Sequence, residues 1–170
     1  MRIAIVGYGV VGAAVGKLLE RGRHEIVVYD AFRPEYNSIE RRSEVNTCEF
    51  AFIAVPTPES PDGACDLSGV ETVLGWLKVP ACLKSTVPPG TIAHFQVKYH
   101  PRLCFSPEYV GETTWHPWKD IEHHGFLIVG GDPETCNTVV AAYQSALGPG
   151  PRYYVTNSTT AELCKYMENS

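Results

Sequence analysis

Apolar residues fall along this chain in short unbroken runs, separated by stretches in which they recur every three or four positions. Ile3-Ala4-Ile5-Val6 is the first run; Glu25–Tyr29, Phe50–Val55, Ala81–Leu83, Leu103–Phe105, Gly125–Val129 and Tyr153–Val155 follow. Short runs of this kind predict strands buried on both faces. Between them the helical spacing predicts a helix through Ala13, Ala14, Val15, Leu18 and Leu19, closed by Arg21-Gly22. A second helix is expected over 67–77 (Leu67, Val70, Val73, Leu74, Leu77), with Asp66 or Ser68 as its cap. Others are expected over 38–45, from Pro88-Pro89-Gly90-Thr91 to about Tyr99, over 133–147 and from Thr159 to Asn169. Ser106–Glu122 reads as a long irregular loop, which in a compact domain points to function.

Strands that alternate with helices predict an α/β fold of the Rossmann type. The sheet is doubly wound and mostly parallel, with helices on both faces. Ligands of such sheets bind along the edge formed by the C-terminal ends of the strands. That edge gathers Gly7–Gly12, Asp30, Val55-Pro56-Thr57-Pro58, Lys84–Thr86 and Ser106–Glu112 before any motif is considered.

Composition narrows the reading. The 170 residues fit one domain of ordinary size, with 44% hydrophobic and 19% charged residues. A net charge of -5 argues against nucleic acid or an anionic membrane surface as partner. No apolar run approaches the roughly 18 residues needed to span a bilayer. The chain enters a strand directly after Arg2, so no leader is expected. Cys48, Cys65, Cys82, Cys104, Cys136 and Cys164 are scattered without a CxxC pair, which fits reduced thiols in a cytoplasm. His94, His100, His116, His123 and His124 show no metal-ligand spacing, and no metal is expected. Trp115 and Trp118 are read as packing residues.

The first thirty residues carry the clearest chemistry. Gly7-Tyr8-Gly9-Val10-Val11-Gly12 lies between the first strand and first helix, and the next strand ends on Asp30. Gly7 permits the tight turn, Gly9 lets a pyrophosphate approach the backbone, and Gly12 lets the helix sit close to the sheet. The unpaired N–H groups of that helix start, including Val10 and Val11, face the phosphates. Asp30, 23 residues after Gly7, is placed to accept hydrogen bonds from a ribose diol, which favours NAD over NADP. Arg33 lies three residues on, at the same site.

Ala54-Val-Pro-Thr-Pro58, Ser85-Thr-Val-Pro-Pro-Gly-Thr91, Ser106-Pro-Glu-Tyr-Val-Gly-Glu112 and Ala161-Glu-Leu-Cys-Lys-Tyr-Met-Glu-Asn169 follow in order. With the glycine fingerprint, they resemble the N-terminal half of the UDP-glucose/GDP-mannose dehydrogenase family. Members oxidise the C6 alcohol of a nucleotide sugar to a carboxylate with NAD, in the supply of polysaccharide precursors. The resemblance implies that 1–157 is the NAD-binding domain and 158–170 the start of a connecting helix. It implies that Val55, Pro56, Thr57 and Thr86 line the NAD site, Thr86 also near a catalytic water. Glu108 would be an acid/base residue, and Glu112 would sit by the nicotinamide. Lys165 and Asn169 would stabilise an oxyanion on the sugar carbon; their i, i+4 spacing puts both on one helix face.

Gly111 stands where the family carries an arginine. The family's nucleophilic cysteine lies in a glycine-rich segment beyond the Lys-x-x-x-Asn helix, and none of the six cysteines matches it. The domain is therefore expected to bind NAD and to be incomplete for catalysis alone. It is expected to act as a homodimer or beside a chain carrying the other half. Leu163, Tyr166 and Met167 would pair two chains or fold back on the sheet. Two further readings stay open: a non-catalytic NAD-binding or docking module, and a β-hydroxyacid dehydrogenase domain, whose family also carries Lys-x-x-x-Asn.

Overall fold

The computed structural model describes residues 1–109, 121 and 125–169, with side chains through Met167 in the last helix. Among these residues one sheet contains β1 (Arg2–Val6), β2 (Glu25–Tyr29), β3 (Phe50–Ile53), β4 (Ala81–Leu83), β5 (Leu103–Phe105), β6 (Phe126–Gly131) and β7 (Arg152–Thr156). Their order across the sheet is β2-β1-β3-β4-β5-β6-β7. The helices are α1 (Val10–Arg21), α2 (Ile39–Val45), α3 (Ser68–Leu74), α4 (Thr91–Lys98), α5 (Pro133–Leu147) and α6 (Ser158–Asn169). No helix of the described residues is long and apolar enough to cross a membrane.

Strand alternation divides the core into two layers. Ala4, Val6, Ala51, Ile53, Ala81, Leu83, Leu103 and Phe105 face one side, where they meet Val45 of α2, Val70, Val73 and Leu74 of α3, Ile92 and Phe95 of α4, and Ala161 of α6. Ile3, Ile5, Phe50, Phe52, Cys82 and Cys104 face the other, against α1 (Val15, Leu18, Leu19) and α5 (Val139, Ala142, Tyr143). Burying each large side chain of this kind contributes roughly 1.5–3 kcal/mol, so the doubly wound arrangement rests on both layers together.

Local signals place the helix ends. Ser38 caps α2 by accepting the Arg41 N–H at 3.1 Å. Pro133 opens α5, and the Asp132 carboxylate accepts the Thr135 N–H at 2.9 Å. α3 is shorter than its apolar spacing predicts. Leu67 precedes it and Gly75 ends it, while the Trp76 and Leu77 N–H groups turn back onto the Val73 carbonyl. Neither expected cap residue holds the cap position. Asp66 instead accepts the Ser68 N–H at 2.9 Å from just outside the helix.

β1 to β5 run parallel, but β6 pairs antiparallel with β5, through Cys104 with Gly131 and Phe105 with Gly130. The chain leaves β5 and re-enters at Phe126 on the same side of the sheet, so β6 has to run back. β7 follows β6 in parallel register, Phe126 against Arg152 to Gly130 against Thr156. α6 therefore starts at the side of the sheet opposite the C-terminal ends of β1 to β5 and returns toward them. Leu163 and Met167 lie exposed on α6, Met167 at 78%, so that face does not fold back on the sheet.

Candidate functional site

The C-terminal ends of β1, β3 and β4 are tied by backbone hydrogen bonds. The Gly7 N–H donates to Tyr29 O at 2.8 Å, Ala54 N–H to Val6 O at 2.8 Å, Lys84 N–H to Ile53 O at 2.8 Å and Ser106 N–H to Leu83 O at 3.0 Å. A cleft of about 510 Å³ opens above this edge. It is lined by Gly7, Gly9, Val10, Val11, Asp30, Arg33, Val55, Pro56, Thr57, Thr86, Glu108 and Lys165, all expected from the sequence. Ala54, Phe32, Lys84 and Ser85 line it as well. Gly12 lies beneath the cleft. Glu112 lies outside the described residues, and Asn169 belongs to α6 without a described side chain.

The glycine turn has the geometry an anion needs. Gly7 has φ 91°, and a Cβ there would meet the Ala54 carbonyl oxygen at 2.6 Å. A Cβ on Gly12 would collide with the Gly7 carbonyl oxygen, so the start of α1 sits directly on the turn. A Cβ on Gly9 would meet nothing within 4 Å. The space over Gly9 is therefore open, and no acidic side chain or side-chain cap occupies the first turn of α1. The unpaired N–H groups and positive end of that helix favour a phosphate there.

Asp30 is 8% exposed. Its carboxylate accepts the Tyr8 N–H at 2.6 Å and the Phe32 N–H at 2.8 Å, which fixes its orientation at the rim. Arg33 lies over the Tyr8 ring, 5.7 Å from the centroid. Phe32 is 86% exposed at the boundary with a second cavity of about 360 Å³. That cavity is walled by Tyr29, Trp76, Val73, Arg42 and Thr72, and the two cavities share Gly7, Phe32, Val55 and Pro56. Arg42 there donates to the Tyr29 hydroxyl at 2.9 Å and lies over both the Tyr29 and the Trp76 ring.

At the other end, Thr57 Oγ1 donates to the Thr86 carbonyl at 2.7 Å, and Ser85 Oγ donates to Val55 O at 2.6 Å. These bonds hold the β3 and β4 loops together. The Lys84 side chain is fully buried and that of Glu108 is 5% exposed. Lys84 Nζ lies 3.3 Å from Glu108 Oε2 and donates to Ser106 Oγ at 3.3 Å and Pro107 O at 3.4 Å. Burial opposes the Lys84 charge, but the Tyr143 phenol and the Glu108 carboxylate outweigh it and raise the ammonium pKa. Burial likewise pushes Tyr143 up. Lys165 reaches the cleft from α6, its Nζ 5.0 Å from the centroid of Tyr109.

Sequence reasoning placed Lys84 at the ligand edge without giving it a role, and missed Phe32 and the second cavity. Lys84 stood beside Ser85 and Thr86 in a segment already placed at the ligand edge, which was the available signal. The β2 and α3 walls of the second cavity meet only in the folded chain.

A model of the UDP-glucose/GDP-mannose dehydrogenase family, NAD binding domain, matches residues 35–146, well over half of the chain. The UDP-glucose 6-dehydrogenase of Rickettsia prowazekii is 29% identical over 140 residues, covering 75% of this chain and 32% of that protein. The Rickettsia felis UDP-glucose 6-dehydrogenase is 25% identical over 211 residues, covering 100% and 47%. In fold, the chain is similar to a UDP-D-ManNAc dehydrogenase from Pyrococcus horikoshii (TM-score 0.79, 23% identity, 99% of this chain, 50% of that one). It is also similar to a GDP-mannose dehydrogenase from Pseudomonas aeruginosa (TM-score 0.78, 24% identity, 99% and 49%). The chain spans about half the length of the curated relatives that it matches along its whole length.

Proposed function

The chain belongs to the UDP-glucose/GDP-mannose dehydrogenase family, and from that premise we propose that it is the cofactor half of a nucleotide-sugar 6-dehydrogenase. Residues 1–157 form the NAD-binding domain and 158–170 begin a helix toward a sugar-nucleotide domain. The observation that carries this reading is the convergence on one cleft of Gly7, Gly9 and Asp30 with Thr86, Glu108 and Lys165.

The residues fit NAD. The open space over Gly9 at the start of α1 takes the pyrophosphate, the oriented Asp30 carboxylate takes the ribose diol, and the cavity beside Phe32 takes the adenine. Val55, Pro56, Thr57 and Thr86 would support the nicotinamide side, and Arg33 the ribose end. When bound, NAD supplies the hydride acceptor for oxidising a C6 alcohol. Glu108 acts as the acid/base group. Lys165 and Asn169, one turn apart, stabilise negative charge on the substrate oxygen, where donors in a water-poor cleft have the greatest effect. The substrate is a nucleotide sugar of the UDP-glucose type. The protein works in the cytoplasm, in polysaccharide precursor supply, as a homodimer or with a partner chain. Free thiols support the cytoplasm, and the exposed α6 face supports the homodimer or partner chain.

Calorimetric titration tests this, first with NAD and then with UDP-glucose in its presence. NAD binding with a marked preference over NADP is expected. No NAD binding at millimolar concentration would overturn the reading and leave a docking role.

A further inference from the structure

Lys84 has no place in the roles given above, yet it is the most enclosed charge beside the cleft. Its side chain is fully buried at the end of β4. Its Nζ reaches three oxygens of one short segment: Ser106 Oγ at 3.3 Å, Pro107 O at 3.4 Å and Glu108 Oε2 at 3.3 Å. From α5, Tyr143 closes the remaining side, with its ring centroid 5.5 Å from Nζ. The Tyr143 hydroxyl is buried in the same enclosure, and the phenol favours the Lys84 charge. Cys82 lies below on the same strand, and Lys165 also lines the cleft. Glu108 Oε1, on its other side, accepts the Tyr109 N–H at 2.8 Å.

A lysine that only covered apolar surface would send its ammonium to solvent. Here the ammonium is drawn inward, and it contacts three consecutive residues that leave β5 toward the cleft. We propose that Lys84 is a positioning residue for Glu108, fixing the first residues after β5 and holding the Glu108 carboxylate in one orientation at the cleft wall. The proposal rests on the reading of Glu108 as the acid/base group. Lys84 would touch neither cofactor nor substrate. Its effect is to hold Oε2 of Glu108 while the Tyr109 N–H holds Oε1, so that the carboxylate keeps one pose.

The test uses Lys84→Met, which keeps the length of the stem and removes the charge. Carbon-13 spectra of the side-chain carboxyl groups, with Glu108→Gln identifying the signal, read whether the Glu108 carboxylate holds a single pose. The expected result is a Glu108 signal broadened or split in Lys84→Met, with the fold retained by circular dichroism. An unchanged single Glu108 signal in a folded Lys84→Met protein would overturn the proposal. If that variant does not fold, proton–nitrogen correlation spectra of the Lys84 ammonium in wild type and Glu108→Gln decide. A slowly exchanging signal that moves in Glu108→Gln supports the pairing, and no protected signal refutes it. Absent NAD binding in the wild type would refute the dehydrogenase reading while leaving the Lys84–Glu108 result intact.

Discussion

Glu162 joins the last helix to the rest of the domain, and its removal has a calculable cost. The residue is 0% exposed on α6. Its carboxylate accepts the Gly90 N–H at 2.6 Å and the Ile92 N–H at 2.8 Å. Those are the first donors of α4, which begins after Gly90 at φ 92° without a side-chain cap of its own. Glu162 is therefore a helix cap delivered from 70 residues away. Glu162→Ala leaves two donors unsatisfied at ~1–3 kcal/mol each, partly offset by no longer burying a carboxylate, for a net of ~3 kcal/mol. With a urea dependence of ~2 kcal/mol per molar for a domain of this size, the midpoint falls by ~1.5 M. Glu162→Gln keeps one acceptor and loses roughly half as much. Burial raises the Glu162 pKa, against the opposing effect of the Ile92 and Gly90 N–H groups. A carboxyl raised in the folded state favours folding below its unfolded value of 4.5, and that advantage is lost as the pH rises through the folded value. The cost of Glu162→Gln is thus greatest below pH 4.5 and shrinks above it. A midpoint for Glu162→Ala within ~0.3 M of wild type, measured by circular dichroism in urea, would refute this account.

The glycine turn separates fold from ligand. Gly9→Ala leaves urea stability within ~0.5 kcal/mol but weakens NAD ~100-fold in calorimetry, whereas Gly12→Ala lowers both, because its Cβ collides with the Gly7 carbonyl. Asp30→Ala removes a charged acceptor and weakens NAD by ~10–100-fold, narrowing the preference over NADP; equal loss for both cofactors would count against a ribose contact. Cys48 is buried with its thiol pushed up to about 11, so with Cys82 and Cys104 it resists iodoacetamide in the native protein. Cys65 and Cys164, partly exposed, are alkylated first, as read by peptide mass spectrometry.

The sequence carried the layers of this fold but not the direction of every strand. The runs that became β4 and β5 and the span of α5 were readable to the residue, because continuous apolar runs and a Pro at the first helical position each have one local meaning. The reversal of β6 was not readable, since apolar patterning reports burial and is blind to polarity. It is set by where the chain re-enters after β5. The candidate site followed the same division. Gly9, Asp30, Thr57 and Glu108 were legible as residues at strand ends, and the structure gathers them on one cleft. Lys84 was legible only as part of a segment at the ligand edge, and Glu162 only as part of the motif over 161–169, neither with a role of its own. Their significance comes from burial against partners 24 and 70 residues distant, respectively, which no local pattern encodes.

The reversal of β6 gives the cleft an electrostatic gradient. α1 and α4 both start at the C-terminal ends of parallel strands and present their positive poles there. α6 comes from the opposite side, so it advances toward the same edge with its negative pole leading. From Ser158 to Lys165 it climbs about 10 Å at 1.5 Å per residue. One end of the cleft thus attracts anionic groups such as phosphate, and the other favours cations, among them the Lys165 ammonium and the positively charged ring of an oxidised nicotinamide. A dinucleotide that is anionic in its middle and cationic at one tip would enter such a field in one orientation, before any side chain selects it.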